Sequence, residues 1–263
     1  MSTVLITGGT GSLGASLVRA VSSAGHRVRV ASRRPRPDVT PSNVEWRRVD
    51  LVSGDGIETA LEGVQAVVHA ASDPRRAAVV DVEGTRRLVE AARSARVGHI
   101  VYISIVGIDD IPLGYYKHKR AAEDVIRSSG VPYSILRATQ FHTLIDFFLS
   151  KAASVPLVMP VAADFKFQPV APSEVADQMT ACINAGPRGR LADFGGPEVL
   201  SLLEMAETWK GVKGVRKVLI RVPVPGAVAA GFRAGKNTVP DGPRGSIRWR
   251  DWLIGRVPQT HPA

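Results

Sequence analysis

Cysteine is almost missing from this sequence: one residue, Cys182, in a chain of 263. A single thiol leaves no intramolecular disulfide and no cysteine-based metal cluster. The six histidines (His26, His69, His99, His118, His142, His261) fall in no HxxxH or HExxH spacing, so no metal site is expected. Long apolar runs are missing as well. The longest candidate, Val222 to Phe232, is broken by Pro223 and Pro225, short of the roughly 18 residues a membrane span needs. No charged leader with a cleavage site stands before the first strand, so a cytoplasmic location is expected. Acid is scarce in one region only. Residues 210–263 hold eleven Lys/Arg against Asp241 and Asp251, whereas the preceding residues are nearly neutral, within a total of +10. That charge can attract anionic partners, but no nucleic-acid motif accompanies it and no aromatics are interleaved with it as a base-stacking platform requires. The simpler reading is a solvated basic surface. Neither a specific nucleic acid nor a membrane is expected as a partner.

What is present points to an α/β protein. Hydrophobic residues make up 44% and the mean hydropathy is near zero, +0.04, which suits a soluble chain with a sizeable core. Val4 to Thr7 reads as a short buried strand. Gly8, Gly11 and Gly14 follow at a spacing of three, and Ala15, Leu17, Val18 and Val21 then recur at helical spacing up to Gly25. Strand, glycine turn and helix together form a phosphate-binding pattern. Gly8 permits the tight turn, Gly11 lets the backbone approach a pyrophosphate, and Gly14 lets the helix pack close to the strand. The helix N-terminus offers N–H groups and partial positive charge to phosphates.

Arg27 to Ala31 alternates as a second strand and runs into Ser32-Arg33-Arg34. In a dinucleotide fold that point meets the adenosine ribose, where an acid favours NAD and arginine suits a 2′-phosphate. No acid appears before Asp38, so Arg33 and Arg34 point to NADP in preference to NAD; two solvated arginines before a Pro-rich loop (Pro35, Pro37, Pro41) are the other reading. Val44 to Val49 is a third strand ending at Asp50-Leu51. Asp50 either accepts from an adenine amino group or caps a helix from about Ser53 to Leu61. Gln65 to His69 is a fourth strand, followed by Ala70-Ala71-Ser72, small residues that leave room for a ligand across the sheet edge. His69 in that apolar strand reads as a satisfied core residue. A helix over Val79 to Ala95, a fifth strand over His99 to Ile103, a helix from Tyr115 to Ser129 and a sixth strand over Val131 to Leu136 complete a doubly wound parallel sheet of the Rossmann type. Past residue 141 the pattern loosens: a helix around Phe147 to Leu149, a second with Ser173 as N-cap, a short strand near Leu191 to Phe194, a helix over Ser201 to Trp209, a late strand over Val215 to Val222 and a short helix over Pro225 to Ala234. We divide the chain into a nucleotide-binding domain, 1–140, and a small α/β substrate-covering lobe, 141–263, interleaved with the last sheet strands.

Tyr115 and Lys119 share a helix face. A lysine ammonium there favours the phenolate and lowers the tyrosine pKa from its usual value near 10. Ser104, at the end of the fifth strand, can orient a substrate oxygen. The three together form a proton donor for a carbonyl that receives hydride from a nicotinamide. For Lys119 the alternative is a surface helix lysine, and for Ser104 a strand-end cap.

TGGTGSLG, HAAS after the fourth strand, VYISIVG after the fifth, YYKHK opening the next helix and PYSILRATQF beyond it resemble an atypical short-chain dehydrogenase/reductase of the NmrA-like, NAD(P)-binding type. The resemblance covers about residues 1–205. It implies Gly8, Thr10, Gly11, Ser12, Leu13 and Gly14 on the pyrophosphate, Arg33 on the 2′-phosphate, Asp50 and Leu51 near adenine, and Ala70, Ala71 and Ser72 beside the ribose. Lys119 would hold the nicotinamide ribose hydroxyls, Phe141 would lie near the nicotinamide or substrate, and Tyr115 matches the catalytic tyrosine. Two functions follow. One is NADPH-dependent reduction of a carbonyl- or quinone-like small molecule; the other is a non-catalytic NADP-binding sensor that changes its contacts with a protein partner. An epimerase or dehydratase of nucleotide-sugars is a third, for which the chain is short. Substrate and oligomeric state are not legible.

Overall fold

The computed structural model describes residues 1–35 and 43–256; Pro37, Asp38 and Pro41 lie outside them. The described chain forms two compact units. The first comprises Met1–Ser104, Leu113–Arg137 and Pro172–Ala192; the second comprises Ile105–Pro112, Ala138–Ala171 and the described residues from Asp193 onward. The chain passes between units several times, because segments of its second half return to the sheet.

In the first unit, β1 (Thr3–Thr7) leads through the glycine turn to α1 (Ser12–Ser23) and β2 (Arg27–Ser32). Then come β3 (Val44–Arg48), α2 (Ile57–Leu61), β4 (Ala66–His69), a π-helical turn (Ala78–Glu83) running into α3 (Gly84–Ser94), and β5 (His99–Ile105). After these lie α4 (Gly114–Arg127) and β6 (Tyr133–Ala138). The sheet has seven strands in the order β3-β2-β1-β4-β5-β6 and, at the far edge, a two-residue strand Gly189–Arg190. β1 pairs in parallel with both β2 and β4, with Thr7 beside Ala31 on one side and His69 on the other. The order of connection therefore reverses between β1 and β4, and their C-terminal ends frame the crevice in which open α/β sheets bind ligands. The doubly wound parallel sheet is as the sequence predicts.

Packing explains why these segments sit where they do. Val4 and Ile6 alternate with Leu5 along β1, and all three are buried because the central strand is covered on both faces. On one face Leu5, Val67, Ile100 and Ile135 meet Leu88 and Ala92 of α3 and Ala122 and Ile126 of α4. Each fully buried valine, leucine or isoleucine among them contributes about 1.5–3 kcal/mol. A helix from the chain's second half, Pro172–Ala185, packs against α1.

The second unit contains α5 (His142–Ala153), β7 (Val158–Val161) and β8 (Lys166–Phe167). The chain then gives α6 (Pro172–Ala185) and β9 (Gly189–Arg190) to the first unit before returning with β10 (Leu200–Ser201), α7 (Leu202–Lys213), β11 (Val218–Arg221), α8 (Ala227–Arg233) and α9 (Trp249–Ile254). β7 runs parallel to β11, and β8 antiparallel to β10. Ser201 and Glu204 form a reciprocal capping box at the start of α7, and Gly214, at φ 67°, ends it. The core is built on Ile145, Leu149, Met159, Met205, Trp209 and Trp249. The indole N–H of Trp249 donates to the Met205 carbonyl at 3.1 Å.

Several local expectations need correction. The helix expected from Ser53 is confined to Ile57–Leu61, because Gly54 and Gly56 adopt φ of +94° and +76° and no helix runs through such geometry. Asp50 does not cap that helix; its Oδ1 accepts the Val52 N–H at 2.8 Å in a local turn. Ser173 lies inside α6, one residue past Pro172, where proline fits the first helical position. The strand expected at Leu191–Phe194 is displaced to β9, and Phe194 makes only an isolated bridge to Ala138.

Candidate cofactor and active site

The glycine turn is built as its spacing requires. Gly8 has φ +71°, and a Cβ there would lie 2.6 Å from the Ala70 carbonyl oxygen at the end of β4. A Cβ on Gly14 would collide with the Gly8 carbonyl oxygen, so the helix approaches the turn only because that side chain is absent. The Gly11 N–H closes the turn on Gly8 O at 2.9 Å. Gly11 is the N-cap of α1 and offers no side chain to the first-turn N–H groups, which suits a helix start that meets an anion.

A cleft of about 380 Å³ opens at the ends of β1, β2 and β4. Of the residues expected on a dinucleotide, Gly8, Thr10, Gly11, Arg33, Arg34, Asp50, Leu51, Ala70, Ala71 and Ser72 all line it. Ser12, Leu13 and Gly14 do not: Ser12 is exposed at the start of α1, and Leu13 and Gly14 are buried beneath the turn. The Arg34 backbone is pinned, its N–H donating to Ser32 Oγ at 3.0 Å and its carbonyl accepting from the Trp46 indole at 2.9 Å. Phe141 belongs to the second unit, where it is the N-cap of α5 and bridges to Val170.

Beside the cleft lies a carboxylate that sequence reading missed. Asp81, in the π-helical turn, is 1% exposed. Its Oδ1 accepts the Ser72 hydroxyl at 2.7 Å and its Oδ2 accepts the Asp73 N–H at 3.0 Å. Ser72 Oγ is also 2.6 Å from the Tyr115 hydroxyl. A serine hydroxyl has one proton, and Ser72 gives it to Asp81; the Tyr115 O–H is then the donor to Ser72. The result is a directed chain from Tyr115 through Ser72 to Asp81.

Lys119 is buried on the same helix face as Tyr115. Its Nζ donates to the Ile103 carbonyl at 2.9 Å, stands 3.9 Å from Asp81 Oδ1 and lies 4.2 Å from the centre of the Tyr102 ring. Burial pulls the ammonium down to about 8, against the opposing pull of Asp81 and Glu123. The phenol moves opposite to the sequence expectation: burial and then the Asp81 charge push Tyr115 well above its usual value, with Ser72 opposing. The helical spacing places Lys119 on the right face, but burial of the phenol sets the sign and the Asp81 charge adds to it. Ser104 is buried and does not line the cleft. Burial raises the Glu123 carboxyl, but the Arg137 guanidinium and the neighbouring Ser104 hydroxyl outweigh it and hold the pKa below the usual range.

His69 is satisfied, as expected. The Thr7 hydroxyl donates to Nδ1 at 2.7 Å, Nε2–H donates to Thr85 Oγ1 at 2.8 Å, and the Thr85 hydroxyl donates on to the Asp81 carbonyl. Burial and then the Lys119 charge lower the His69 pKa to about 3, and burial lowers His99 to about 4. Below pH 6.5 the unfolded chain therefore binds protons that the folded chain refuses, and stability falls on acidification until the folded pKa values are reached. Each histidine contributes a slope of up to about 1.4 kcal/mol per pH unit in that window. Urea midpoints at pH 7, 6, 5 and 4.5 are expected to fall steadily, with a shallower fall in His99→Gln; a flat profile would mean that both imidazoles titrate normally.

The NAD(P)H-binding family profile matches residues 8–185. The chain belongs to the NAD(P)H-binding family. Its place among atypical short-chain dehydrogenase/reductases of the NmrA-like type is as its motifs indicate, and its relatives include reductases. It is 31% identical over 256 residues to a ceramide reductase of Caulobacter vibrioides, covering 87% of this chain and 76% of the relative. It is 27% identical over 215 residues to a (4-alkanoyl-5-oxo-2,5-dihydrofuran-3-yl)methyl phosphate reductase of Streptomyces griseus, covering 80% and 74%. Among solved structures, an NADPH-dependent quinone oxidoreductase of Escherichia coli in complex with NADPH superimposes with a TM-score of 0.73 at 19% identity, covering 96% of this chain and 94% of that one. A nucleoside-diphosphate-sugar epimerase of Staphylococcus aureus superimposes with a TM-score of 0.76 at 17% identity, covering 96% and 99%. At these identities the likeness is one of fold. Among the described residues no helix is long and apolar enough to cross a membrane.

Proposed function

We propose that this family member is an NADPH-dependent reductase of a carbonyl- or quinone-like small molecule. The observation that carries the reading is the directed chain from Tyr115 through Ser72 to Asp81, whose middle member also lines the glycine-turn cleft. The residues present fit the cofactor: a turn whose glycines leave no room for side chains, a helix start without a capping side chain, and two arginines at the end of β2. Gly8, Thr10 and Gly11 would hold the pyrophosphate, with Ser12, Leu13 and Gly14 forming the helix start behind it. Arg33 and Arg34 would hold the 2′-phosphate, Asp50 and Leu51 the adenine, and Ala70, Ala71 and Ser72 the ribose side. When bound, the dihydronicotinamide supplies a hydride.

The chain's own residues supply the proton. Tyr115, held protonated by burial and by Asp81, gives its proton only when charge develops on a carbonyl oxygen. Ser72 then turns its hydroxyl from Asp81 to the phenolate, and the Lys119 ammonium balances the carboxylate left behind. Relatives named for reduction of a ceramide and of a furanone phosphate support the reaction class.

The test begins with nicotinamide fluorescence. NADPH is expected to bind at least about tenfold more tightly than NADH, the equivalent of one charge-assisted hydrogen bond of about 1.5 kcal/mol. Arg33→Ala is expected to bring the two together. Equal affinities in the unaltered protein would overturn the NADP preference, and no oxidation of NADPH by any member of a quinone and aldehyde panel would overturn the reductase.

A further inference from the structure

A second cleft lies on the other side of Tyr115. It is an open depression of about 480 Å³ between the loop entering the π-helical turn and the start of α4, and its walls include the exposed Arg75, Arg76 and Val79 together with Tyr115 and His118. That volume is in the range of small-molecule sites. No aspartate or glutamate lines it. Asp73, the nearest acid in the loop, lines the cofactor cleft instead; its Oδ1 is occupied by the Arg75 N–H at 3.1 Å, and its charge reaches Tyr115. Elsewhere in this unit Arg29, Arg127 and Arg137 are matched to Glu45 or Glu123. Among the described residues, the Arg75 and Arg76 guanidinia meet no carboxylate.

The two clefts share a wall. Ser72 lines the cofactor cleft and Tyr115 the second, and their hydroxyls are 2.6 Å apart. We infer that the second cleft is the substrate's anion subsite: the substrate is a small molecule carrying a carboxylate or phosphate, which Arg75 and Arg76 hold while its carbonyl lies at the Tyr115 hydroxyl. The guanidinium fork matches either anion bidentately. The apolar wall at Val79 leaves room for a hydrocarbon spacer. The assignment of substrate class rests on Tyr115 as the acid; the binding of an anion in this cleft does not.

Phenyl phosphate and benzoate are the probes, titrated by ligand-observed NMR into protein saturated with NADPH so that the cofactor cleft is filled. At least one of them is expected to bind, and which one names the anion. In Arg75→Ala/Arg76→Ala affinity is expected to fall about tenfold or more, from the loss of charge-assisted bonds, with NADPH affinity kept. Arg93→Ala/Arg216→Ala, which removes the same charge from exposed positions elsewhere, is expected to leave binding unchanged. Absence of binding of both probes, affinity that survives loss of Arg75 and Arg76, or an equal fall in the control would overturn the subsite. In turnover, 4-carboxybenzaldehyde is expected to outperform its methyl ester through KM, and the double variant to erase that difference at unchanged kcat. Anion binding without any NADPH oxidation would keep the subsite and remove the reductase reading, so the two fail separately.

Discussion

Tyr115→Phe is expected to lower turnover by about 10²–10⁴-fold, the usual worth of a positioned general acid, while NADPH affinity stays within about twofold. The substitution removes one oxygen and little else. The ring stays half-buried, tilted against Tyr116 at 6.4 Å between centroids. Ser72→Ala is the informative companion, because it deletes the acceptor of the Tyr115 proton and the donor to Asp81 together. Its turnover is expected to fall less, about tenfold, since the acid survives but its phenolate loses a hydrogen bond. Steady-state NADPH oxidation at 340 nm reads both variants. Undiminished turnover in Tyr115→Phe would move the proton source elsewhere and leave the cofactor cleft untouched.

The parts of this site that local spacing encodes were legible in the sequence. Gly8, Gly11 and Gly14 act within one turn, so their spacing alone reports the close approach of α1 to β1. Tyr115 and Lys119 are one helical turn apart, so their shared face is equally local. What joins them to the rest is not local: Ser72 and Tyr115 are 43 residues apart and meet because α4 packs against the π-helical turn that follows the end of β4. Asp81 was hidden in an apolar stretch, Ala77 to Val82, in which the helix expected over Val79 to Ala95 begins. A lone acid inside such a run was the available clue, since a buried carboxylate must find donors. The direction of the Tyr115 shift was misread because spacing shows which residues share a face and is silent on how deeply the fold buries the phenol and which charge another element brings beside it. Interleaving of the two units was legible only in outline, because β9 is two residues long and carries no periodicity of its own.

Glu123→Ala is expected to destabilise the protein by about 3–5 kcal/mol, the cost of stranding a buried charge. Glu123 is fully buried on α4, one turn beyond Lys119, and receives Arg137 Nε on Oε1 at 2.7 Å and Arg137 Nη2 on Oε2 at 2.8 Å. Arg127 adds a third bond at 2.8 Å from a half-exposed position and can turn to water when the carboxylate goes. Arg137, 5% exposed at the end of β6, cannot. Glu123→Met/Arg137→Met removes both charges and fills the space, so its urea midpoint is expected to recover most of the loss; a double variant as unstable as the single would mean that the loss comes from packing. The double variant also separates stability from chemistry. Glu123 is one of two carboxylates that support the Lys119 ammonium against burial. Without it the Lys119 pKa drops further below about 8, and the alkaline limb of the kcat/KM profile is expected to move to lower pH while the protein remains folded. An unmoved limb would show that Asp81 alone sets the charge of Lys119, leaving Glu123 as the clamp that fixes α4 against the end of β6.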